Sequence, residues 1–307
     1  MDAVVIAGGI PAPQDPLYPY SQGDSKALID VAGKPMVQWV LDALAAAKTI
    51  DRIVLIGLTS KSGLTCRKPV FYLSNQGKML ANIQVGTAKA LELNPRAKYV
   101  LFVTSDIPAI TGAMVDWVVN TSLQTADDVY YNVLTREVME ERFPTSRRTF
   151  VRLKDMAVCG GDMNMLRASV VTQNPEFWDK LIEARKSPAA QASLLGFGII
   201  FRFIFRQLTA DDIIRRVANR LGLKGRAVLC PFAEVGMDVD KPHQLEIMRA
   251  YLARGRKRGA SGKGTARKAT TRRASARKTK RSARRVTTRR VASRSKTGSA
   301  RRSARHR

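Results

Sequence analysis

Four short apolar runs, spaced by turns and helical segments, constrain the fold of this chain more than any other feature. Ala3–Ala7 runs into Gly8-Gly9, and Arg52–Gly57 (RIVLIG), Val70–Leu73 and Tyr99–Thr104 (YVLFVT) follow the same pattern. Met36–Ala47, opened by Pro35, then Lys78–Leu93 and Thr111–Leu123 carry apolar residues at helical spacing. Apolar runs without polar alternation are strands buried on both faces, and a β-α-β-α rhythm supplies the helices that bury them. The predicted class is α/β: a Rossmann-like, three-layer α/β/α sandwich around a mixed, mostly parallel sheet.

The rhythm breaks after Leu123. Val129–Val133 is strand-like, Arg136–Phe150 is charged and irregular, and Phe150–Leu153 and Met156–Cys159 can pair around Lys154-Asp155. Pro175–Lys186, Ala189–Gln207 and Thr209–Leu221 read as helices, forming an insertion over about 175–221. Ala227–Pro231 returns as a strand and Pro242–Leu252 as a closing helix. The most apolar segment, Leu194–Phe205, is interrupted by Arg202 and falls short of the ~20 residues a membrane span needs. A buried helix is expected there, with a helix lying on a membrane surface as the alternative, given Arg215, Arg216 and Arg220 nearby.

Charge sets the domain boundary. The chain carries 53 Lys and Arg against 25 Asp and Glu, a net +28, yet Arg254–Arg307 alone holds 23 of the bases and no acid. Residues 1–253 therefore keep about +5 and form the folded domain, while 254–307 form a tail. The tail lacks aromatics, Leu, Ile and Met, so it cannot bury enough apolar surface to offset the entropy of ordering. Its Lys and Arg, interspersed with Ala, Ser, Thr and Gly, resemble the basic tails of linker-histone-type proteins. Non-specific binding to DNA, RNA or an anionic membrane by counterion release is expected, without base stacking.

Three scattered cysteines, Cys66, Cys159 and Cys230, argue against a disulfide framework or a zinc ribbon, and fit reduced thiols. Two histidines, His243 and His306, leave no parts for a Ser-His-Asp triad or a His-rich metal site. Catalysis must then use carboxylates, lysines, backbone amides or hard cations. Asp2 stands where a signal peptide needs a base, so residence is expected in the cytoplasm, with nucleoid association through the tail as an extension.

Three places can carry chemistry. Ala7-Gly8-Gly9 ends the first strand and is followed by Ser25-Lys26. The glycines suit either a tight turn or close approach of a phosphate or base, and Lys26 offers a compact charge for phosphate oxygens. Asp106, in Thr104-Ser105-Asp106-Ile107-Pro108, either ligates a divalent cation or caps the following helix. Asp238 and Asp240 alternate along an extended segment, so both face one side; they can complete a cation site, or Asp240 can cap the final helix.

Together these motifs resemble the nucleotidyltransferases of the MobA-like, sugar-nucleotide pyrophosphorylase type, which share a GT-A-like fold. The matches are Ala7-Gly8-Gly9, Lys26, Gly33-Lys34-Pro35-Met36, Asn75-Gln76-Gly77-Lys78-Met79-Leu80-Ala81-Asn82, Ser105-Asp106-Ile107-Pro108, Gly160-Gly161-Asp162-Met163-Asn164 and Asp238-Val239-Asp240-Lys241-Pro242. The resemblance implies that an acceptor phosphate attacks the α-phosphorus of a nucleoside triphosphate and that pyrophosphate leaves. It implies Mg²⁺ (or Mn²⁺) on Asp106 with Asp238 or Asp240, and Lys26 on the phosphates. Ala7, Gly8, Gly9, Gly77 and Asn82 would face the nucleotide, and Gly160, Gly161 and Asn164 the acceptor. The family's usual Arg after the glycine pair is missing, since Ile10–Asp24 contains no base. Either backbone amides and metal replace it, or a base arrives from elsewhere. Arg147, Arg148, Arg152 and Lys154 can meet an acceptor phosphate or form a solvated face. The alternatives are a glycosyltransferase on the same fold, or a decayed domain that tethers to DNA or membrane.

Overall fold

A computed structural model describes residues 1–173, 208–220 and 222–255. The chain divides into two units, Met1–Leu252 and Ala253–Arg307, and the architecture below is that of the first. The helices expected at Pro175–Lys186 and Ala189–Gln207, the apolar run Leu194–Phe205 and tail residues 256–307 lie outside the described residues. Among the described residues no helix is long and apolar enough to cross a membrane.

The first half alternates as the apolar runs dictate: β1 (Asp2–Ile6), α1 (Tyr18–Ser21), α2 (Met36–Ala46), β2 (Arg52–Ile56), β3 (Val70–Leu73), α3 (Met79–Leu93), β4 (Tyr99–Thr104) and α4 (Gly112–Ser122). The second half holds β5 (Val129–Thr135), α5 (Arg136–Arg142), β6 (Val151–Arg152), β7 (Ala157–Gly160), β8 (Met163–Arg167), α6 (Ala168–Gln173), α7 (Ala210–Arg220), β9 (Gly225–Leu229) and α8 (residues 242–255).

The nine strands of the described residues join one sheet. β3, β2, β1 and β4 are parallel neighbours in that order. β8 then runs antiparallel to β4, β8 and β7 pair antiparallel with successive parts of β5, and β9 lies parallel to β5. β7 and β8 thus act as two arms of a strand broken at Gly161-Asp162. Such interruptions re-aim side chains and concentrate beside active sites.

Alternate residues of the parallel strands face opposite layers. Ala3, Val5, Ile53, Leu55, Leu101 and Val103 pack with Met36, Val40 and Leu44 of α2 and Val115 and Val118 of α4. Val4, Val54, Ile56, Val100 and Phe102 pack with Leu80 and Ala90 of α3 and with Val170 and Val171 of α6. This is the three-layer α/β/α arrangement, mostly parallel at its centre.

α5 and β8 differ from the sequence reading. The stretch 136–150, read as irregular, begins with α5, whose first turn is capped by Thr135 accepting from the Val138 amide at 3.3 Å. Met139 gives that helix its buried side, and Phe143, just past its end, is buried too. β8 (MNMLR) has no β-branched residue and gives no strand signal of its own; it forms because Met163, Met165 and Leu166 fill the space beside β4.

The chain goes from β1 to β2 on one side of β1, and from β3 across to β4 on the other. The carboxyl ends of β1 and β4 therefore flank the crevice in which open α/β sheets bind ligands.

Candidate active site

The loop leaving β1 is closed back onto the strand end. The Ser25 hydroxyl donates to the Ala7 carbonyl at 2.7 Å, and the Lys26 amide donates to the Gly9 carbonyl at 2.8 Å. Ser25 also accepts from the Ala27 amide at 3.3 Å, which opens a short 3-10 turn at Lys26–Leu28. These bonds deliver Lys26 to the crevice. Its ammonium donates to Asp106 Oδ2 at 2.7 Å and to Asp240 Oδ1. Burial lowers the Lys26 pKa, but the charges of Asp106 and Asp240 outweigh it and hold the ammonium above the ordinary lysine value.

Asp106 continues β4 beyond its last residue. The Ser105 amide reaches the Ile6 carbonyl at 3.2 Å, and the Asp106 carbonyl accepts from the Val239 amide at 3.0 Å. α4 is capped by Thr111, so Asp106 is not used as a helix cap. The buried Val239 pins the closing segment, and the carboxylates on either side of it reach different cations. Asp240 goes to Lys26 rather than to the first turn of α8, whereas Asp238 accepts from Arg148.

The structure adds Asp162, which the sequence offers only within a motif, to this cluster. Its amide donates to the Val235 carbonyl at 2.9 Å and its carbonyl accepts from the Thr104 amide at 3.0 Å, which fixes it at the break between β7 and β8. Burial, followed by the charge of Asp106, pushes the Asp162 carboxyl up to about 7, against the opposing pull of Arg148. Arg148 was one of four bases without a distinguishing signal. Arg147, Arg152 and Lys154 are exposed, as a solvated face would be, while the Arg148 side chain is 16% exposed and turned inward.

Asp106 Oδ1, Asp162 Oδ2 and Thr104 Oγ1 are buried without a hydrogen-bond partner. Unsatisfied buried carboxylate oxygens are costly unless something positive meets them. The cluster holds four carboxylates, Asp106, Asp162, Asp238 and Asp240, against the two cations Lys26 and Arg148. Among the described residues no group of three Asp, Glu, His or Cys side chains forms a metal cage. An all-oxygen set with orphaned oxygens suits an ion held by one or two carboxylates plus ligand oxygens, the usual arrangement for Mg²⁺. The buried thiols of Cys159 and Cys230 are pushed up, Cys230 to about 11, by burial, which makes them poor nucleophiles.

The predicted nucleotide residues form a wall across β1 from this cluster. Gly57 has φ +96°, and a Cβ there would lie 2.2 Å from the Gly8 Cα. A Cβ on Gly8 would in turn lie 2.6 Å from Asn75 Cγ. Gly8 is thus required by close packing inside the protein, whereas a Cβ on Gly9 would point into open space. Asn75 donates to the Gly8 carbonyl at 2.8 Å and accepts from the Gly77 amide at 3.0 Å. Asn82 is buried; its oxygen accepts from the Gln76 amide at 2.8 Å and its nitrogen donates to Asn75 at 3.0 Å. Its side chain shapes the loop around Gly77, and both ends of its amide are engaged within the protein.

Asn164 behaves similarly. It accepts from the Asn132 amide at 2.8 Å and donates to the Gly161 carbonyl at 2.9 Å, holding the strand break open. Gly160 packs under Tyr131, and its carbonyl faces Arg148 at 3.3 Å.

Comparison with known proteins agrees with this fold. The MobA-like NTP transferase domain matches residues 3–173. A hypothetical transferase from Thermus thermophilus is 32% identical, with 80% of this chain and 98% of that one covered and a TM-score of 0.69. CMP:2-keto-3-deoxy-manno-octonic acid synthetase, solved in complex with CTP, is 16% identical with a TM-score of 0.50, covering 83% and 99%. A 4-diphosphocytidyl-2C-methyl-D-erythritol synthase is 13% identical with a TM-score of 0.50, covering 82% and 97%. The last two are alike in fold. No curated protein matches the sequence.

Proposed function

Because the chain belongs to the MobA-like NTP transferase family, we propose that it transfers a nucleoside monophosphate from an NTP to a phosphorylated acceptor and releases pyrophosphate. The observation that carries this reading is Lys26, bridging Asp106 and Asp240 where β1 and β4 end. One ammonium and two carboxylates at a sheet crevice suit a triphosphate and its counter-ion, and suit little chemistry that needs a protein nucleophile.

The acceptor phosphate is already an oxygen nucleophile, so the protein's contribution is positioning and charge neutralisation. Asp106 and Asp240 would hold Mg²⁺, and their hard oxygens fit it. A bound divalent ion supplies neutralisation of the phosphates as charge shifts toward the leaving pyrophosphate. Lys26 exchanges a carboxylate partner for phosphate oxygens when the nucleotide enters. The Gly9 backbone leaves room for the phosphates, and the Asn75–Gly77 turn, braced by Asn82, faces the base. Gly160 and Gly161 line the acceptor side next to Asp162.

For residues 254–307 we propose non-specific polyanion binding, carried by 23 bases without an acid. The test of the enzymatic reading is pyrophosphate release by the full-length protein, with each common NTP against a panel of phosphorylated acceptors. Release with one pair in the presence of Mg²⁺ is expected. Silence with every pair, or transfer from a nucleotide-sugar instead, would replace this reading.

A further inference from the structure

We infer that Arg148, held by Asp238, binds the anionic group of the acceptor, so that the closing segment divides its two carboxylates between two tasks. Asp240 serves the nucleotide side with Lys26 and Asp106, and Asp238 positions the acceptor-side arginine. The inference rests on the proposed nucleotidyl transfer and assigns its second substrate a contact.

The guanidinium donates to Asp238 and to the Gly160 carbonyl and also reaches the Cys159 thiol. One terminal nitrogen donates to Asp238, whose side chain is 13% exposed. The other lies 3.3 Å from the Gly160 carbonyl and 4.0 Å from Asp162 Oδ2, beyond hydrogen-bonding distance of that carboxylate. A guanidinium has five donors in a rigid fork and remains charged when buried. Arg148 therefore keeps donor capacity next to Gly160 and Asp162, on the flank of the cluster away from Lys26.

The backbone is arranged for this position. Arg147 adopts φ +52°, a left-handed conformation that costs a non-glycine residue energy and persists only where its surroundings enforce it. Ser146 is the anchor: its carbonyl accepts from His243 Nε2 at 3.1 Å and from Gln244 Nε2 at 3.5 Å, both at the start of α8. Gln244 also accepts from the Asp240 amide at 2.9 Å. The start of α8 thus ties the Arg148 loop and the Asp238–Asp240 segment to one support, and an error in one is felt by the other.

Electrostatics makes Arg148 necessary. Lys26 is shared by Asp106 and Asp240, so Arg148 is the cation that faces Asp162 and Asp238, and without it that side would present carboxyl groups alone. An incoming phosphate meets its attraction there in Arg148, whose fork matches phosphate oxygens. Asp238, already bonded to the guanidinium, fixes the fork's direction.

The test uses calorimetry on the full-length protein. The α,β-methylene analogues of ATP, GTP, CTP and UTP are titrated with Mg²⁺, and inorganic phosphate is then titrated into both the free and the nucleotide-loaded protein. Arg148→Ala is expected to weaken phosphate binding at least tenfold with unchanged nucleotide affinity, and Arg148→Lys to restore part of it. Asp238→Asn is expected to weaken phosphate binding about fivefold without moving Mg²⁺ or nucleotide affinity, at a melting temperature close to that of the parent. Phosphate binding that is absent from the parent or unchanged in Arg148→Ala would overturn the inference, as would an Asp238→Asn variant that loses Mg²⁺ and nucleotide but keeps phosphate. Failure of all four analogues to bind counts against nucleotidyl transfer, while the phosphate arm on the free protein still decides Arg148.

Discussion

Lys26 Nζ lies 2.7 Å from Asp106 Oδ2 and joins the loop after β1 to the end of β4, across 80 residues of sequence. The contact forms because Ser25 and the Lys26 amide are tied to the β1 end, while Ser105 is tied to Ile6. The charge pair is thus a product of backbone bonds around the sheet crevice and not of a local sequence motif.

Lys26→Ala should lower kcat/KM ~10²-fold or more, the scale of removing one preorganised electrostatic contact. Steady-state pyrophosphate release measures it. A loss below threefold would mean that the ammonium does not meet the phosphates.

Asp162 sets a pH dependence. Its folded pKa of about 7 stands above the ordinary 3.8, so the folded state binds the proton more tightly than the unfolded one. Stability contributed by the protonated form is complete below about 4, falls as pH rises toward 7 and levels off above it. Asp162→Asn, melted without divalent cations, should gain stability over the parent through that window, reaching on the order of 2 kcal/mol at pH 8 after allowance for partial exposure. A difference that stays constant from pH 5 to 8 would contradict the buried, like-charged setting.

Asn82→Ala leaves the Gln76 amide without its acceptor and the Asn75 oxygen with the Gly77 amide alone, and should destabilise the fold by about 1–3 kcal/mol. Since the side chain braces the turn proposed to face the nucleotide, KM for the NTP should rise with kcat little changed. A fall in kcat at constant KM would show that Asn82 acts on the transition state instead.

Deletion after Ala253 should abolish DNA binding and leave pyrophosphate release intact. In the full-length protein, log K for DNA should fall steeply and linearly with log salt. Gel-shift titrations at several salt concentrations check this, and salt-independent binding would refute it.

The parallel half of the fold was legible because burial on both faces requires continuous apolar runs: Val70–Leu73 and Tyr99–Thr104 are the observed strands, residue for residue. β8 was not legible, because its methionines carry no strand preference and its place is set by β4. Lys26, Asp106 and Asp240 were readable as strand-end or segment residues, and the structure brings them together. Asp162 and Arg148 were not readable as partners, since a strand break and a left-handed Arg147 put them in place, and neither leaves a periodic trace. Asn82 and Asn164, expected to face the nucleotide and the acceptor, have amides engaged in holding loops.

The most direct measurement compares full-length parent and Asp106→Ala for pyrophosphate release with the NTP and acceptor panel in Mg²⁺. Asp106 belongs to a cluster of four carboxylates and two cations, so losing it relieves like-charge repulsion as it breaks the Lys26 pair, and the variant should melt within a few degrees of the parent. The account predicts release by the parent with one substrate pair and none by the variant. Equal turnover by both proteins would contradict it.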